Sequence, residues 1–279
     1  MPTPNTSRLS VSSYSLHRAL GVNYRDLPGD DGSRPCIPLH GQAKLALVAL
    51  PERIAEAGIL TLEISHPHLP SREPAYLQEL KYAIWEAGVS LLSVLVEAGD
   101  LTDPENGERD REWMAGWIET AGLLGAQRVR VIAGKAPYTS ETLQRSISAL
   151  GELAKVGRDH GVRLTTENWF DLLSCPEAVH KLMDGLEGEV GFNLDFGNWT
   201  GPTKYADLEA IYRYAESCHA KCAFLSEYVP DAIDFRRCLD LARAADFAGP
   251  FTLIYDASGP DEWKGLAIER ELVTPYLSA

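Results

Sequence analysis

Three apolar runs in the middle of the chain each carry a residue that can bind a divalent cation. These residues are Glu167 in the run 162–169, Asp195 in the run 190–198 and His219 in the run 218–225. Two carboxylates and an imidazole form a mixed oxygen and nitrogen site, which suits Mn, Mg, Zn, Co or Fe and leaves positions open for substrate oxygens. Taken singly, each residue also fits a structural role as a solvated carboxylate, a turn residue or a core histidine. Their equivalent places in three successive units favour one shared metal site.

The elements that must position these residues alternate regularly between strand and helix. The predicted strands are 9–14, 59–64, 90–96, 128–132, 162–169, 190–198, 218–225 and 251–255, and the predicted helices are 44–57, 72–87, 108–124, 140–160, 175–186, 205–217, 234–245 and 261–277. Pro51 indicates either a kink or a second start within the first helix. Eight alternations without a break in composition predict a single (β/α)8 TIM barrel over residues 1–279, with residues 1–7 as a frayed tail.

An open doubly wound sheet is the competing architecture. It usually carries a glycine-rich phosphate-binding turn after its first strand, and the sequence has none there. In the barrel, by contrast, the residues just after each strand face one shared pocket. The predicted pocket collects His66, His68, Glu97, Glu167, Asn168, Trp169, Asp195, Asn198, His219, Lys221 and Asp256.

Composition limits the partners and the location that we expect. The chain is 45% apolar and 24% charged, as in an ordinary soluble globular protein. A net charge of −14 without a basic cluster disfavours binding to nucleic acid or to an anionic membrane. No apolar run is long enough to cross a bilayer, and the start lacks the pattern of a secretion signal. Five cysteines without a CxxC pair indicate free thiols in a reducing cytoplasm.

The motifs and their order resemble those of the xylose-isomerase-like barrel superfamily of sugar isomerases and epimerases. The stretch 121–131, Thr166-Glu167-Asn168, Leu194-Asp195-Phe196-Gly197-Asn198, His219-Ala220-Lys221 and Gly249-Pro250-Phe251 carry this resemblance. It implies that Glu167, Asp195 and His219 bind one divalent cation together with a glutamate from strand eight. It further implies that the two glutamates act as acid and base on either face of a sugar carbon. Related barrels often pair as dimers or tetramers, so a homo-oligomer is a state that the sequence leaves open.

The chain departs from this family pattern on strand eight. Ile254 stands where the last glutamate is expected, and Asp256 follows two residues later on the same predicted strand face. Three protein ligands with water still make a workable open metal site. A proton donor for the opposite face of the substrate must then come from elsewhere, with Asp256, Lys221, His66 and Tyr255 as the candidates.

The leading hypothesis is a metal-dependent enzyme that isomerises, epimerises or dehydrates a small sugar, polyol or related carbonyl compound. Proton abstraction next to a carbonyl needs a base and a means to stabilise the enediolate, for which Glu167 and the one metal ion are the candidates. Lys221 and Asp256 are the other predicted catalytic residues. The residues predicted to bind substrate are His66, Asn198 and Trp169, the last by stacking on a sugar ring.

Two other classes of protein remain open. A phosphodiester hydrolase of the abasic-DNA repair type shares this barrel, but it needs a multi-metal cluster for which only His66 and His68 are spare. A binding or regulatory protein that has lost catalysis would explain the missing carboxylate on strand eight.

Overall fold

Eight parallel strands close into a barrel in the computed structural model, which describes residues 8–278. The strands are β1 (Leu9–Ser12), β2 (Thr61–Ser65), β3 (Ser90–Leu95), β4 (Arg128–Arg130), β5 (Arg163–Glu167), β6 (Gly191–Asp195), β7 (Ala215–Lys221) and β8 (Phe251–Ile254). Each pairs with its neighbours in chain order, and β8 pairs with β1 to close the ring. The predicted (β/α)8 barrel is thereby confirmed. The predicted frayed tail, residues 1–7, lies outside the described residues.

A helix of at least seven residues precedes each strand from β2 to β8, and another follows β8. These helices are α1 (Leu50–Glu56), α2 (Pro74–Glu86), α3 (Gly107–Leu124), α4 (Ser140–Asp159), α5 (Pro176–Gly185), α6 (Lys204–Ile211), α7 (Ala232–Ala244) and α8 (Glu262–Val273). Each buries an apolar stripe; α4, for example, buries Leu143, Leu150 and Leu153 and leaves its polar face to solvent. This outer layer holds the barrel strands in place by excluding water from their outward-facing side chains.

Two element boundaries differ from the prediction. The helix predicted over 205–217 ends at Ile211, and β7 already begins at Ala215 because Ala215 and Ser217 pair in register with β6. Pairing across the barrel therefore overrides the helical periodicity of this short polar stretch. The helix predicted over 44–57 begins only at Leu50, with Pro51 in its first turn, where its missing N–H costs nothing. Pro51 thus marks a start and not a kink.

Two connections at the carboxyl end of the barrel carry small antiparallel hairpins. The long connection after β1 pairs Asn23–Tyr24 with Cys36–Ile37, and the connection after β7 pairs Phe224–Ser226 with Val229–Pro230. The carboxyl end of a (β/α)8 barrel is the end at which these enzymes place their active sites. Both hairpins therefore lie at the end where the predicted site residues gather.

All five cysteines are free thiols. No helix within residues 8–278 combines the length and the apolar character that crossing a membrane requires.

Candidate active site

Glu167, Asp195 and His219 converge at the carboxyl end of the barrel. They lie on the adjacent strands β5, β6 and β7, and Asp195 and His219 are direct register partners. One ligand atom from each residue lies within 4.8 Å of the other two. His219 Nδ1 lies 3.3 Å from Glu167 Oε2 and 3.5 Å from Asp195 Oδ2. All three side chains are buried, so these atoms enclose a point at which a single small cation fits.

The far side of the His219 ring is held by Glu63, a buried residue of β2. His219 Nε2 lies 2.9 Å from Glu63 Oε2. When the imidazole is neutral and Nε2–H donates to this carboxylate, the lone pair of Nδ1 is directed toward Glu167 and Asp195. Metal-binding histidines usually have such an outer carboxylate, which fixes the tautomer and raises the basicity of the ligand atom. The donor set therefore fits a divalent cation in its types of atom and in the orientation of its imidazole.

Electrostatics within the cluster also fit a cation. Burial opposes the charged imidazole, but the carboxylates of Glu63, Glu167 and Asp195 raise the pKa of His219 to about 10. A positive charge at this point is therefore favoured by its surroundings. Binding of a divalent cation would replace the proton of the imidazolium, as is general for histidine ligands.

We expect Glu63→Gln to weaken metal binding by about 10–100-fold without removing the site, the range typical for an outer partner of a metal ligand. The amide oxygen still accepts from Nε2–H, but the charge that makes Nδ1 a better ligand is lost. Isothermal titration with Mn²⁺ should report lower affinity and unchanged stoichiometry. Glu216→Gln is the matched control, because Glu216 binds Arg163 away from the metal-ligand cluster. Equal affinities for both variants would exclude a role for Glu63 in orienting His219.

Asp195 is fixed by the turn that follows it. Its Oδ1 accepts hydrogen bonds from the backbone N–H groups of Gly197 at 2.6 Å and Asn198 at 2.9 Å, which leaves Oδ2 facing His219. Burial opposes ionisation, but His219, Lys221 and the Gly197 N–H outweigh it and lower the pKa of Asp195. Asn168 pins the backbone here through bonds of 2.8 and 3.0 Å to Asp195 N and O. Asn168 therefore positions the ligand strand instead of facing substrate.

Glu167 is held by two hydrogen bonds and one ion pair. Asn193 Nδ2 donates to Oε2 at 3.0 Å, Asn198 Nδ2 donates to Oε1 at 3.1 Å, and Arg130 Nε lies 3.2 Å from Oε2. Asn193 is itself fixed by a hydrogen bond of 2.8 Å from Ser217 Oγ. The carboxylate is therefore fixed in orientation, with both oxygens turned toward polar groups of the site.

A cavity of about 150 Å³ lies directly beside the three candidate ligands. Six residues predicted from the sequence as metal-binding, catalytic or substrate-binding line it: Glu167, Trp169, Asp195, Asn198, His219 and Lys221. Ser12, Tyr14, Leu95 and Arg130 also line it and were not predicted as site residues. Ile254 forms part of its wall, and among the described residues no carboxylate from β8 does so. An apolar side chain thus occupies the place at which the family resemblance implies a glutamate.

Trp169 and Glu97 form two further parts of the cavity wall. The Arg130 guanidinium lies 5.2 Å from the centre of the Trp169 ring, a cation–π contact that holds the indole at the rim. Glu97 accepts a hydrogen bond of 2.8 Å from Ser65 Oγ, and burial raises its pKa against the opposing effect of Arg130. The cavity therefore contains an aromatic face and a carboxyl group with an increased tendency to hold a proton.

Asp256 is not brought into this cavity. Strand β8 ends at Ile254, so the alternation that was expected to turn residue 256 inward does not continue that far. The Asp256 carboxylate instead accepts a hydrogen bond of 2.8 Å from Lys221 Nζ, with more than a third of its side chain exposed. Its part in the site is the contact with Lys221.

His66 is not brought into the cavity either. Its Nδ1 accepts the backbone N–H of Glu97 at 3.1 Å, and its Nε2 lies 3.3 Å from the carbonyl oxygen of Asp26. The rings of Trp113 and Trp117 pack edge-on against it at 5.4 and 5.1 Å. The connection after β1 folds over the ring and excludes solvent, so His66 is a core residue that positions Glu97. Trp113 and Trp117 lie one turn apart on α3, and their ring centres are 6.3 Å apart.

The buried side chains of His66 and His68 should make the folded protein less stable in mild acid. Burial lowers the pKa of each to about 3. The unfolded chain takes up these protons near pH 6.5 and the folded chain does not, so stability is retained above that pH and falls as the pH drops toward 3. We expect each histidine to lower the free energy of unfolding by about 2 kcal/mol between pH 7 and pH 5.

Urea unfolding at the two pH values measures this loss. His68→Asn is the informative variant, because an asparagine can replace the contact of 2.9 Å between His68 Nδ1 and Ser13 Oγ but does not titrate. Between pH 7 and pH 5, the free energy of unfolding of this variant should fall by about 2 kcal/mol less than that of the wild type. An unchanged pH dependence in this variant would contradict the assignment.

Two residues of the candidate site, Glu63 and Arg130, were not predicted from the sequence, although the sequence carries a signal for both. Glu63 and Arg130 are charged side chains inside otherwise apolar strands, in Thr61-Leu62-Glu63-Ile64 and Val129-Arg130-Val131. Alternate residues of a barrel strand face the interior, where an unpaired charge is too costly to be tolerated. A charge at such a position therefore indicates a partner inside the barrel, and in both cases the partner belongs to the candidate metal cluster.

A family model described as xylose isomerase-like TIM barrel matches residues 51–271. The chain belongs to this family, as the strand order and the residues at the strand ends predict. No curated protein matches the sequence.

Solved structures with the same fold cover nearly the whole chain. A xylose isomerase domain protein from Planctomyces limnophilus is 17% identical, with a TM-score of 0.67 over 96% of this chain and 95% of that one. A xylose isomerase-like TIM barrel protein from Mycobacterium smegmatis in complex with magnesium is 16% identical, with a TM-score of 0.67 over 99% and 100%. D-allulose 3-epimerase from Methylomonas sp. is 13% identical, with a TM-score of 0.68 over 96% and 97%. At these identities the likeness shows the fold.

Proposed function

We propose that this protein is a divalent-metal-dependent isomerase or epimerase of a small carbohydrate. In this proposal Glu167, Asp195 and His219 bind the cation and Glu167 is the base. The observation that carries it is the convergence of the three ligand atoms within 4.8 Å beside a cavity. Two of the similar structures support it, one being a magnesium complex and the other a D-allulose 3-epimerase.

Proton transfer at carbon needs a positioned base and stabilisation of the charge that develops on the neighbouring oxygens. A bound divalent cation would supply the second requirement as a Lewis acid. Glu167 takes the proton from the carbon next to the carbonyl group. Asn193, Asn198 and Arg130 hold its carboxylate in one orientation, so little reorganisation accompanies the transfer.

The β8 side of the cavity bears on whether protein groups can exchange protons with both faces of the substrate carbon. Ile254 cannot carry a proton, and its register partner on β7 is Lys221, which also lines the cavity. Burial disfavours the ammonium form, but Asp256 and Asp195 outweigh it and raise the pKa of Lys221. Lys221 is therefore a proton donor and not a base at neutral pH. One base and one donor suit an aldose–ketose isomerisation, in which a single carboxylate carries the proton between adjacent carbons.

Exchange of carbon-bound hydrogen with solvent tests this function without knowledge of the product. Protein stripped with a chelator and reloaded with Mn, Mg, Zn, Co or Fe is incubated in D₂O with a panel of aldoses and ketoses, and deuterium incorporation is followed by NMR. We expect exchange next to the carbonyl of at least one sugar with one of the metals and none in the stripped protein. A panel without metal-dependent exchange would favour the alternative of a barrel that only binds its ligand.

A cytoplasmic location, a homo-oligomeric state and the absence of nucleic-acid and membrane partners stay predictions.

A further inference from the structure

A second cavity opens at the same end of the barrel, next to the candidate metal site. Its volume is about 500 Å³, and it is bounded by the connections that follow β6, β7 and β8. Lys221 lines both cavities. Gly197 lines the second one, and a Cβ atom at Gly197 would come within 2.7 Å of Lys221 Cδ. The stem of Lys221 thus lies against a glycine and forms the boundary between the two spaces.

The sizes of the two cavities differ in a way that bears on the substrate. Pockets for small-molecule ligands usually measure about 300–1,000 Å³. The metal cavity, at about 150 Å³, is below this range, whereas the second cavity, at about 500 Å³, is within it. The metal cavity therefore has room for the reacting carbons of a ligand, and the space for the rest of a larger ligand lies beyond Lys221.

The charges of the second cavity favour a neutral ligand. Lys204 Nζ donates to both oxygens of Asp234 at 2.7 and 2.8 Å, and Lys221 Nζ donates to Asp256 at 2.8 Å. Each cation that lines the cavity is thus paired with a carboxylate that also lines it. A phosphate or carboxylate ligand would meet as much negative as positive charge here. Hydroxyl groups, which both donate and accept, suit such alternating charges.

The remaining walls combine hydroxyl side chains with an apolar surface. Thr200, Ser226 and Ser258 supply the hydroxyl groups, and Phe224 and Leu225 of the hairpin after β7 supply the apolar part. The Phe224 ring is fixed edge-on against Tyr255 at 5.1 Å, and Leu225 is 72% exposed. A sugar ring has this same combination, with polar edges and an apolar C–H face that packs on apolar and aromatic side chains.

We propose that the second cavity binds a neutral sugar ring that is glycosidically linked to the carbohydrate reacting at the metal site. The substrate is then a disaccharide or another glycoside, and Lys221 lies at the junction between its two units. This inference rests on the proposed function and specifies its substrate class.

The test compares binding of sugars of two sizes to the magnesium-loaded protein by isothermal titration and NMR. The probes are glucose and fructose against maltose, cellobiose, maltulose and trehalose. Ser226→Trp fills the second cavity from the exposed hairpin, and Ser148→Trp, at an exposed position of α4, is the control of equal size. We expect at least one disaccharide to bind roughly tenfold more tightly than either monosaccharide. Ser226→Trp should abolish this gain and leave monosaccharide binding within about twofold, while Ser148→Trp should retain the gain.

The outcomes separate this inference from the function on which it rests. If monosaccharides bind and no disaccharide binds more tightly, or if the gain survives in Ser226→Trp, the second cavity is not a sugar subsite. If no sugar of either size binds, the carbohydrate function itself is overturned.

Discussion

Glu167→Gln should lower the rate of proton exchange and of turnover by about a thousandfold, because the glutamine amide cannot accept the proton that the carboxylate takes from carbon. Glu97 is the other glutamate in the cavity wall, but burial raises its pKa and so favours the protonated form, which cannot accept a proton. Ile254 occupies the β8 position at which the family resemblance implies a second glutamate, and Lys221 is held in its charged form by Asp256 and Asp195. A loss of this size separates a base from a residue that only helps to bind substrate.

Metal content must be measured on the same samples, because Glu167 is also a candidate ligand. The glutamine introduced by Glu167→Gln keeps an amide oxygen that can coordinate, so a variant that retains the metal and loses exchange identifies Glu167 as the base. Glu216→Gln repeats the same chemical change on β7, where Glu216 binds Arg163 at 2.6 Å, and should retain full activity. Unchanged exchange and metal content in Glu167→Gln would remove both roles from this residue.

The sequence alone predicts the strands and the convergence of the three candidate ligands, because both depend on local patterns. Each ligand lies at the end of an apolar run, and parallel strands in a barrel bring such ends to one place whatever the details of packing. The position of Ile254 on the cavity wall follows from the same rule, since it depends only on the strand and its alternation. These predictions need no knowledge of the long connections.

The roles of His66 and Asp256 depend on interactions that strand periodicity does not contain. The connection after β1 covers His66, and nothing in the short motif Ser65-His66-Pro67-His68 indicates that a distant loop will bury the ring. The position of Asp256 depends on where β8 ends, and the strand ends at Ile254, two residues before it. The predicted strand extended one residue further, to 255, and differences of one or two residues are common at element boundaries. Here the difference moves a carboxylate from one cavity to another.

The sequence also does not predict the residues that orient the candidate ligands, such as Asn193 and Glu63. Each acts through another residue, Asn193 by orienting Glu167 and Glu63 by orienting His219. Their partners lie 26 and 156 positions away in the chain. Composition and spacing predict which residues can bind a metal, whereas the partners of those residues emerge only when the barrel closes.

Asp195→Asn should abolish stoichiometric metal binding, with a loss of affinity beyond the roughly 10–100-fold typical of an outer partner such as Glu63. The substitution removes one of the two anionic ligands. It keeps an oxygen that can accept from the N–H groups of Gly197 and Asn198, so the turn after β6 should be preserved. The loss is therefore electrostatic and local, not a consequence of misfolding.

Two measurements check this expectation on the wild type and the variant. Elemental analysis after dialysis against metal should find about one ion per chain in the wild type and almost none in the variant, because the cluster has ligands for one cation. Thermal unfolding supplies an independent readout, since a ligand at a hundred times its Kd stabilises the folded state by about 2.7 kcal/mol. The metal-induced rise in Tm should be present in the wild type and absent in Asp195→Asn.

Asp256→Asn is the matched control, because it changes the same chemical group at the end of a nearby strand but outside the metal cavity. It should bind one ion and retain the metal-induced rise in Tm. If Asp195→Asn and Asp256→Asn lose metal equally, the ion is held by the overall negative charge of this end of the barrel. If the wild type itself binds none, the three side chains form a hydrogen-bonded cluster around His219, and the proposed enzyme loses its metal centre.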